Sequence, residues 1–194
     1  MKILLASRNK GKLVELRRIL AGKSDIALLG LDDVAPYPEA PETAATFAGN
    51  AEAKALDALH HTGLPSIADD SGLAVDALNG MPGVLSARWS GKHGDDTANL
   101  ELLLNQMGDV PDKRRTAEFV CAIAFAQPDA ETQIVFGRMP GRIIREPRGS
   151  NGFGYDPIFV PDGYGQSTAE LSSDVKDAIS HRGKALRAFA ELLP

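Results

Sequence analysis

Two adjacent carboxylates, Asp69 and Asp70, stand between apolar residues: Ile67-Ala68 precede them, and Leu73-Ala74-Val75 follow after Ser71-Gly72. Paired acids at a strand end can ligate Mg²⁺, which takes oxygen ligands and keeps several waters. One of them can also orient or deprotonate an attacking water. Asp, Ser and Gly equally make an ordinary solvated turn. The apolar flanks place the acids at the rim of a core strand, where sites form in α/β folds.

Three further clusters carry chemistry. Ser7-Arg8-Asn9-Lys10-Gly11-Lys12 joins an apolar tetrad to a helical pattern. Free N–H groups and partial positive charge at a helix start suit phosphate oxygens. Ser7 and Asn9 can donate, and Lys12 adds a point charge. The segment is not a GxxxxGK[ST] loop, and a plain helix cap is the alternative. In residues 149–157 (GSNGFGYDP), glycines leave Phe153 open to a flat ligand, and Asp156 can accept from a base or sugar. Base-on-aromatic stacking contributes roughly 1–3 kcal/mol. The alternative is a glycine-rich turn with Phe153 in the core. Finally, Lys176 precedes Ser180-His181-Arg182-Gly183-Lys184. These cations and the imidazole open the last helix, as a clamp on base carbonyls or phosphate, or as a solvated basic end.

Other chemistries find little support. His60, His61 and His93 lack zinc spacing, and the first two, being adjacent, face different ways on a helix. No Gly-x-Ser-x-Gly elbow or Cys/His pair points to covalent catalysis. The one cysteine, Cys121, lies in an apolar run and reads as a small buried hydrophobe, so no intrachain disulfide forms. A reduced, cytoplasmic setting fits this usage.

The elements that must position these clusters follow from periodicity. Residues 2–6 and 26–29 read as strands, with a helix between them ending at Gly22. Residues 35–41 hold three prolines and form a loop. An alanine-rich helix is expected over 43–61, with Asn50 and Lys54 on one face. Strand pieces at 66–68 and 73–77 flank the acidic turn, and 80–83 turns again. Residues 95–107 form an amphipathic helix. Long strands at 116–126 and 132–139 make a hairpin, and 141–145 continue the sheet. Residues 157–160 form a short strand, and 179–193 a closing helix. Hairpins mixed with crossovers argue an α/β fold: a mixed central sheet with long strands and helices on its faces.

The chain has 194 residues, 43% of them hydrophobic, which allows one domain with a sizeable core. No stretch approaches a membrane span, and the N-terminal apolar run is too short for a signal peptide. A net charge of −5 argues against polymeric nucleic acid as a partner. An acidic protein can still bind a small polyanion with local cations and a metal.

Together the clusters supply cations for phosphates, acids for a metal, a stacking ring and donors for a base edge. The sequence resembles the inosine/xanthosine triphosphate pyrophosphatase family nearly end to end. The resemblance rests on SRNKGK, TFAGNAEAKA, IADDSGLAVDALNGMPGVLSARW, GSNGFGYDPIFVP and TAELSSDVKDAISHRGKAL. It implies one domain over 1–194 with two lobes around an active-site cleft, a homodimer, and Mg²⁺ as cofactor. Carried over by motif, Ser7, Arg8, Asn9, Lys10, Gly11 and Lys12 hold the triphosphate. Asp70, beside Asp69, binds metal and activates water. Ser71 touches the substrate, while Glu42 and Lys54 assist with metal and phosphate. Phe153, Gly154, Tyr155 and Asp156 hold the base, and Lys176, His181 and Arg182 read it. The family often begins its first motif with Thr; Ser7 keeps the hydroxyl.

The expected reaction is attack by water on the α-phosphorus of a non-standard purine triphosphate (ITP, dITP or XTP), with pyrophosphate leaving. A pyrimidine-directed house-cleaning pyrophosphatase and a non-catalytic nucleotide-binding module are the alternatives. The assignment needs the opening loop, the twin acids and the ring-bearing segment to share a cavity.

Overall fold

The computed structural model describes residues 1–23 and 25–193, Lys10 by its backbone alone. In chain order the elements are β1 (Lys2–Leu5), α1 (Lys10–Ile19), β2 (Ala27–Leu29), α2 (Phe47–Thr62), β3 (Ser66–Val75), β4 (Met81–Pro82), α3 (Asp96–Gln106), β5 (Thr116–Ala126), β6 (Gln133–Ile143), β7 (Phe159–Pro161), α4 (Ser173–Ile179) and α5 (His181–Leu192). Short 3₁₀ turns fill several connections. The sheet is mixed, with strand order β2-β1-β3-β5-β6-β7 and β4 paired to β3. β1 runs parallel to β2 and β3, with Ile3 opposite Leu28 and Leu5 opposite Ile67. β4 is antiparallel to β3, and β7 to β6. The expected α/β class with a mixed sheet and packed helices is the one observed.

The chain forms two compact units, Met1–Asp70 with Cys121–Phe136 and Ala185–Pro194, and Ser71–Val120 with Gly137–Lys184. In the first unit the sheet is covered on both faces. Ile3, Leu5, Ile67, Cys121, Ile123 and Phe125 pack with Leu16 and Leu20 and with Ala185, Leu186 and Phe189 of α5. The alternate residues Ala122, Ala124 and Ala126, with Ala68, pack against Ala51 and Ala55 of α2. This two-sided burial explains why β5 reads as an unbroken apolar run. Facing alanines let α2 approach the sheet closely. The second unit has its own core, in which Leu73, Val75, Leu100, Leu103, Met107, Phe119, Met139, Ile143 and Phe159 meet. No helix of the described residues is long and apolar enough to cross a membrane.

Two expectations are corrected and one helix is added. The acidic segment 69–72 is not a turn between strand pieces but the middle of β3, which is continuous from Ser66 to Val75. The alanine-rich helix starts later than 43, because Thr46 is its cap and accepts from the Gly49 N–H at 3.1 Å. The closing helix expected at 179–193 is α5, and the seven-residue α4 ahead of it is an addition. Ser172 caps α4, and Ser180 breaks the run with an extended ψ of 148° before α5.

Candidate active site

In the first unit the polar residues are held in pairs. Asn9 caps α1: its Oδ1 accepts from the Gly11 N–H at 2.9 Å, while Ser7 Oγ accepts from the Asn9 N–H at 3.2 Å. That bends residues 7–9 into the helix start and sends Lys12 off the first turn. Lys12 Nζ lies 2.8 Å from Asp69 Oδ1 and 2.7 Å from its Oδ2. Asp70 Oδ2 accepts from Asn50 Nδ2 at 2.8 Å. Lys54 Nζ donates to Glu42 Oε1 at 2.6 Å. Asp69 and Asp70 are 7% and 8% exposed, a depth that costs a carboxylate dearly unless partners hold it. Arg8 pairs with Glu39 at the surface. The Lys10 side chain lies outside the described residues.

Glu42, Asp69 and Asp70 offer only oxygen donors, the type a hard divalent cation takes. Among the described residues, no three His, Cys, Asp or Glu side chains converge into a ready metal cage. A cavity of ≈ 560 Å³ on this unit takes Ser7 and Arg8 from the candidates, with Tyr37, Glu39 and Arg17, but not the twin acids or Lys12.

The second unit carries the rest. Phe153 is 63% exposed, so it is a presented ring and not a core residue. Its N–H donates to Asp156 Oδ2 at 2.8 Å, and the Gly154 N–H to Asp96 Oδ2 at 2.8 Å. Lys176 pairs with Asp156, and its Nζ stands 5.2 Å from the Phe153 ring centroid. Gly152 has φ +79°, and a Cβ there would meet the Asp156 carboxylate and, at 2.8 Å, Lys176 Nζ. The loop therefore needs glycine at 152 to bring its own cation and anion together. His181 stacks on Phe119 at 5.0 Å and 13°. Arg182 Nη2 donates to Ser71 Oγ at 3.3 Å.

Tyr155 turns inward instead. Its ring is buried, and its O–H donates to the Ser86 carbonyl at 2.9 Å. Burial, reinforced by the charge of Asp96, pushes its phenol well above the ordinary value of 10.0. The folded form keeps this proton where the unfolded chain has lost it. Stability is therefore intact below about pH 10 and falls as pH rises further. Tyr155→Phe is expected to flatten that alkaline decline, checked by urea unfolding at pH 8, 10 and 11. An unchanged slope would contradict this anchor.

Sequence reasoning passed over Asn50, Phe119 and Asp96 as functional residues. A single Asn in an alanine-rich helix, a Phe in a core strand and an Asp at a helix start each have ordinary readings. Their roles depend on contacts from distant parts of the chain.

The model of the Ham1 family matches residues 3–192. A Nocardia farcinica protein named dITP/XTP pyrophosphatase is 62% identical over 195 residues, covering 100% of this chain and 93% of that protein. A Corynebacterium glutamicum protein of the same name is 57% identical over 197 residues, covering 98% of this chain and 96% of that one. The crystal structure of a Mycobacterium abscessus nucleoside-triphosphatase, a dITP/XTP pyrophosphatase, superposes with a TM-score of 0.87 at 59% identity, covering 100% of both chains. The Staphylococcus aureus Ham1 protein gives 0.93 at 40% identity, covering 100% of this chain and 98% of that one.

Proposed function

Because the chain belongs to the Ham1 family, we propose that it hydrolyses non-standard purine nucleoside triphosphates (ITP, dITP and XTP) to the monophosphate and pyrophosphate. This removes them before they enter DNA or RNA. The observation that carries the reading is the set of partnered charges on the first unit: Lys12 on Asp69, Lys54 on Glu42 and Asn50 on Asp70. Each lysine rests on an acid. A triphosphate offers the lysines a better anion, and the acids they release become available to a cation.

The acids suit Mg²⁺, which binds through one or two carboxylates plus substrate phosphates more often than in an all-protein cage. Asp69 and Asp70 would hold it, with Glu42 assisting, and bound Mg²⁺ supplies charge neutralisation to the phosphates. Asp70 takes a proton from water as its oxygen bonds to the α-phosphorus and the bond from that phosphorus to the bridging oxygen breaks. Lys12 and Lys54 offset the negative charge growing on the departing pyrophosphate. Ser7 to Gly11 grip phosphate oxygens from the start of α1.

Base selection belongs to the second unit. Phe153 offers its face to the purine, and Asp156 accepts from the base or sugar, with Gly154 and Tyr155 shaping the loop. Lys176, His181 and Arg182 donate toward the 6-oxo group, and Ser71 touches the substrate through its hydroxyl. Adenine turns a 6-amino donor toward these donors, which leaves polar groups unpaired at a cost of about 1–3 kcal/mol. Mg²⁺, a homodimer and a cytoplasmic setting belong to the same proposal.

Pyrophosphate release from ITP, XTP, GTP and ATP, with and without Mg²⁺, tests it. Release is expected from ITP and XTP, about 5- to 150-fold faster than from ATP, and only with the cation. Equal rates on all four, or ITP bound without consumption, would sink it.

A further inference from the structure

We propose that Asn50 is a positioning residue that sets the Asp70 carboxylate and ties the Glu42 loop to it. This rests on the reading of Asp70 as the metal-binding base.

Asn50 is 1% exposed, near the start of α2. Its Nδ2 donates to Asp70 Oδ2 at 2.8 Å, and its Oδ1 accepts from the Ala44 N–H at 2.9 Å. The two contacts agree on the orientation of the amide. A backbone N–H needs the carbonyl end, and a carboxylate needs the NH₂ end. Few side chains of this length satisfy both. Aspartate would turn a like charge on Asp70, and leucine would remove both bonds, one of them to a buried carboxylate.

One helical turn on, Lys54 holds Glu42 at 2.6 Å. The same face of α2 thus grips the loop at 42 and again at 44. The helix cannot drift under this load. Ala51 and Ala55, both 0% exposed, are packed against Ala68, Ala122 and Ala124 of the sheet that carries Asp70. Asn50 is therefore fixed relative to β3, and one oxygen of Asp70 is committed before any substrate arrives. That is preorganisation: the plane of the carboxylate is set in advance, so no reorganisation is needed as the reaction proceeds.

The test follows Mn²⁺ binding to the full chain without nucleotide, by the EPR signal of the free ion, alongside kcat and KM for ITP. The variants are Asn50→Ala, Asn50→Ser, Asp70→Asn and Asn50→Ala/Asp70→Asn. Asn50→Ala is expected to weaken Mn²⁺ about 10-fold or more. It should also lower kcat about 10-fold or more while KM stays within about twofold. In the Asp70→Asn background the same change should move Mn²⁺ affinity by less than about twofold, because the contact through which it acts is already altered. Wild-type Mn²⁺ affinity in both single Asn50 variants would overturn the proposal. So would an equal loss in the two backgrounds, or failure of both Asn50 variants to fold by far-UV circular dichroism, since each marks a residue of stability alone. The reading beneath fails separately: Asp70→Asn would then bind Mn²⁺ as tightly as the wild type.

Discussion

Asp70→Asn is expected to lower kcat for ITP hydrolysis by about 10²–10⁴-fold, the usual contribution of a positioned general base. Far-UV circular dichroism and the thermal midpoint should stay near those of the wild type. The substitution is close to isosteric, and the new side chain keeps an oxygen that can accept from Asn50 Nδ2, now 2.8 Å from Asp70 Oδ2. What is lost is the charge, and with it the capacity to take a proton from water. Steady-state pyrophosphate release measures the first effect and thermal unfolding the second. An unchanged kcat would remove Asp70 from the reaction. A low kcat with a lowered thermal midpoint would assign the residue to folding instead.

Gly72→Ala should destabilise the protein by about 2–4 kcal/mol, lowering the thermal midpoint by roughly 5–15 °C. A Cβ on Gly72 would lie 2.6 Å from the Gly83 carbonyl oxygen and closer still to Ser86 Oγ. Ser86 cannot swing aside without loss. Its Oγ accepts from the Leu73 N–H at 2.9 Å and donates to Gly83 O at 2.7 Å. The crowding is therefore relieved only by moving β3, the strand that carries Asp69, Asp70 and Ser71. Gly22→Ala is the control, because nothing lies within 4 Å of a Cβ there. Calorimetry on both variants decides the matter. Equal midpoints would show that the segment yields easily. Adding Ser86→Ala to Gly72→Ala should recover part of the loss, since it removes the nearer obstacle.

Much of this was legible in residue order, where local pattern and tertiary packing agree. The strand expected at 116–126 is β5, because burial on both faces imposes an apolar run with no competing reading. The helix expected at 95–107 is α3, with Asp95 accepting from the Ala98 N–H at its start. Reading failed where partners come from far away in sequence. Asp69-Asp70-Ser71-Gly72 has the composition of a turn, yet it runs as strand because β3 pairs between β1 and β5, strands distant in sequence, while Lys12, Asn50 and Arg182 meet its polar side chains. The start expected at 43 was too early, because the Thr46 side chain caps α2 by accepting from the Gly49 N–H. The helix α4 was passed over, since its seven residues are too few to show a clear helical period. The candidate site divides in the same way. Acids, lysines and the exposed ring announce themselves by type. Asn50 and Phe119 act only through what they touch, and no spacing rule reaches across 20 or 62 residues.

The chain first passes from one compact unit to the other at the peptide bond from Asp70 to Ser71, within a single strand. The side chains assigned to phosphate work precede that bond or return to its unit, and those assigned to the nucleobase belong to the other. Substitutions that retune which damaged letter is destroyed can therefore accumulate on one side while the bond-breaking apparatus is inherited intact. Such a layout lets selection revise the menu of a sanitising enzyme without rebuilding its blade.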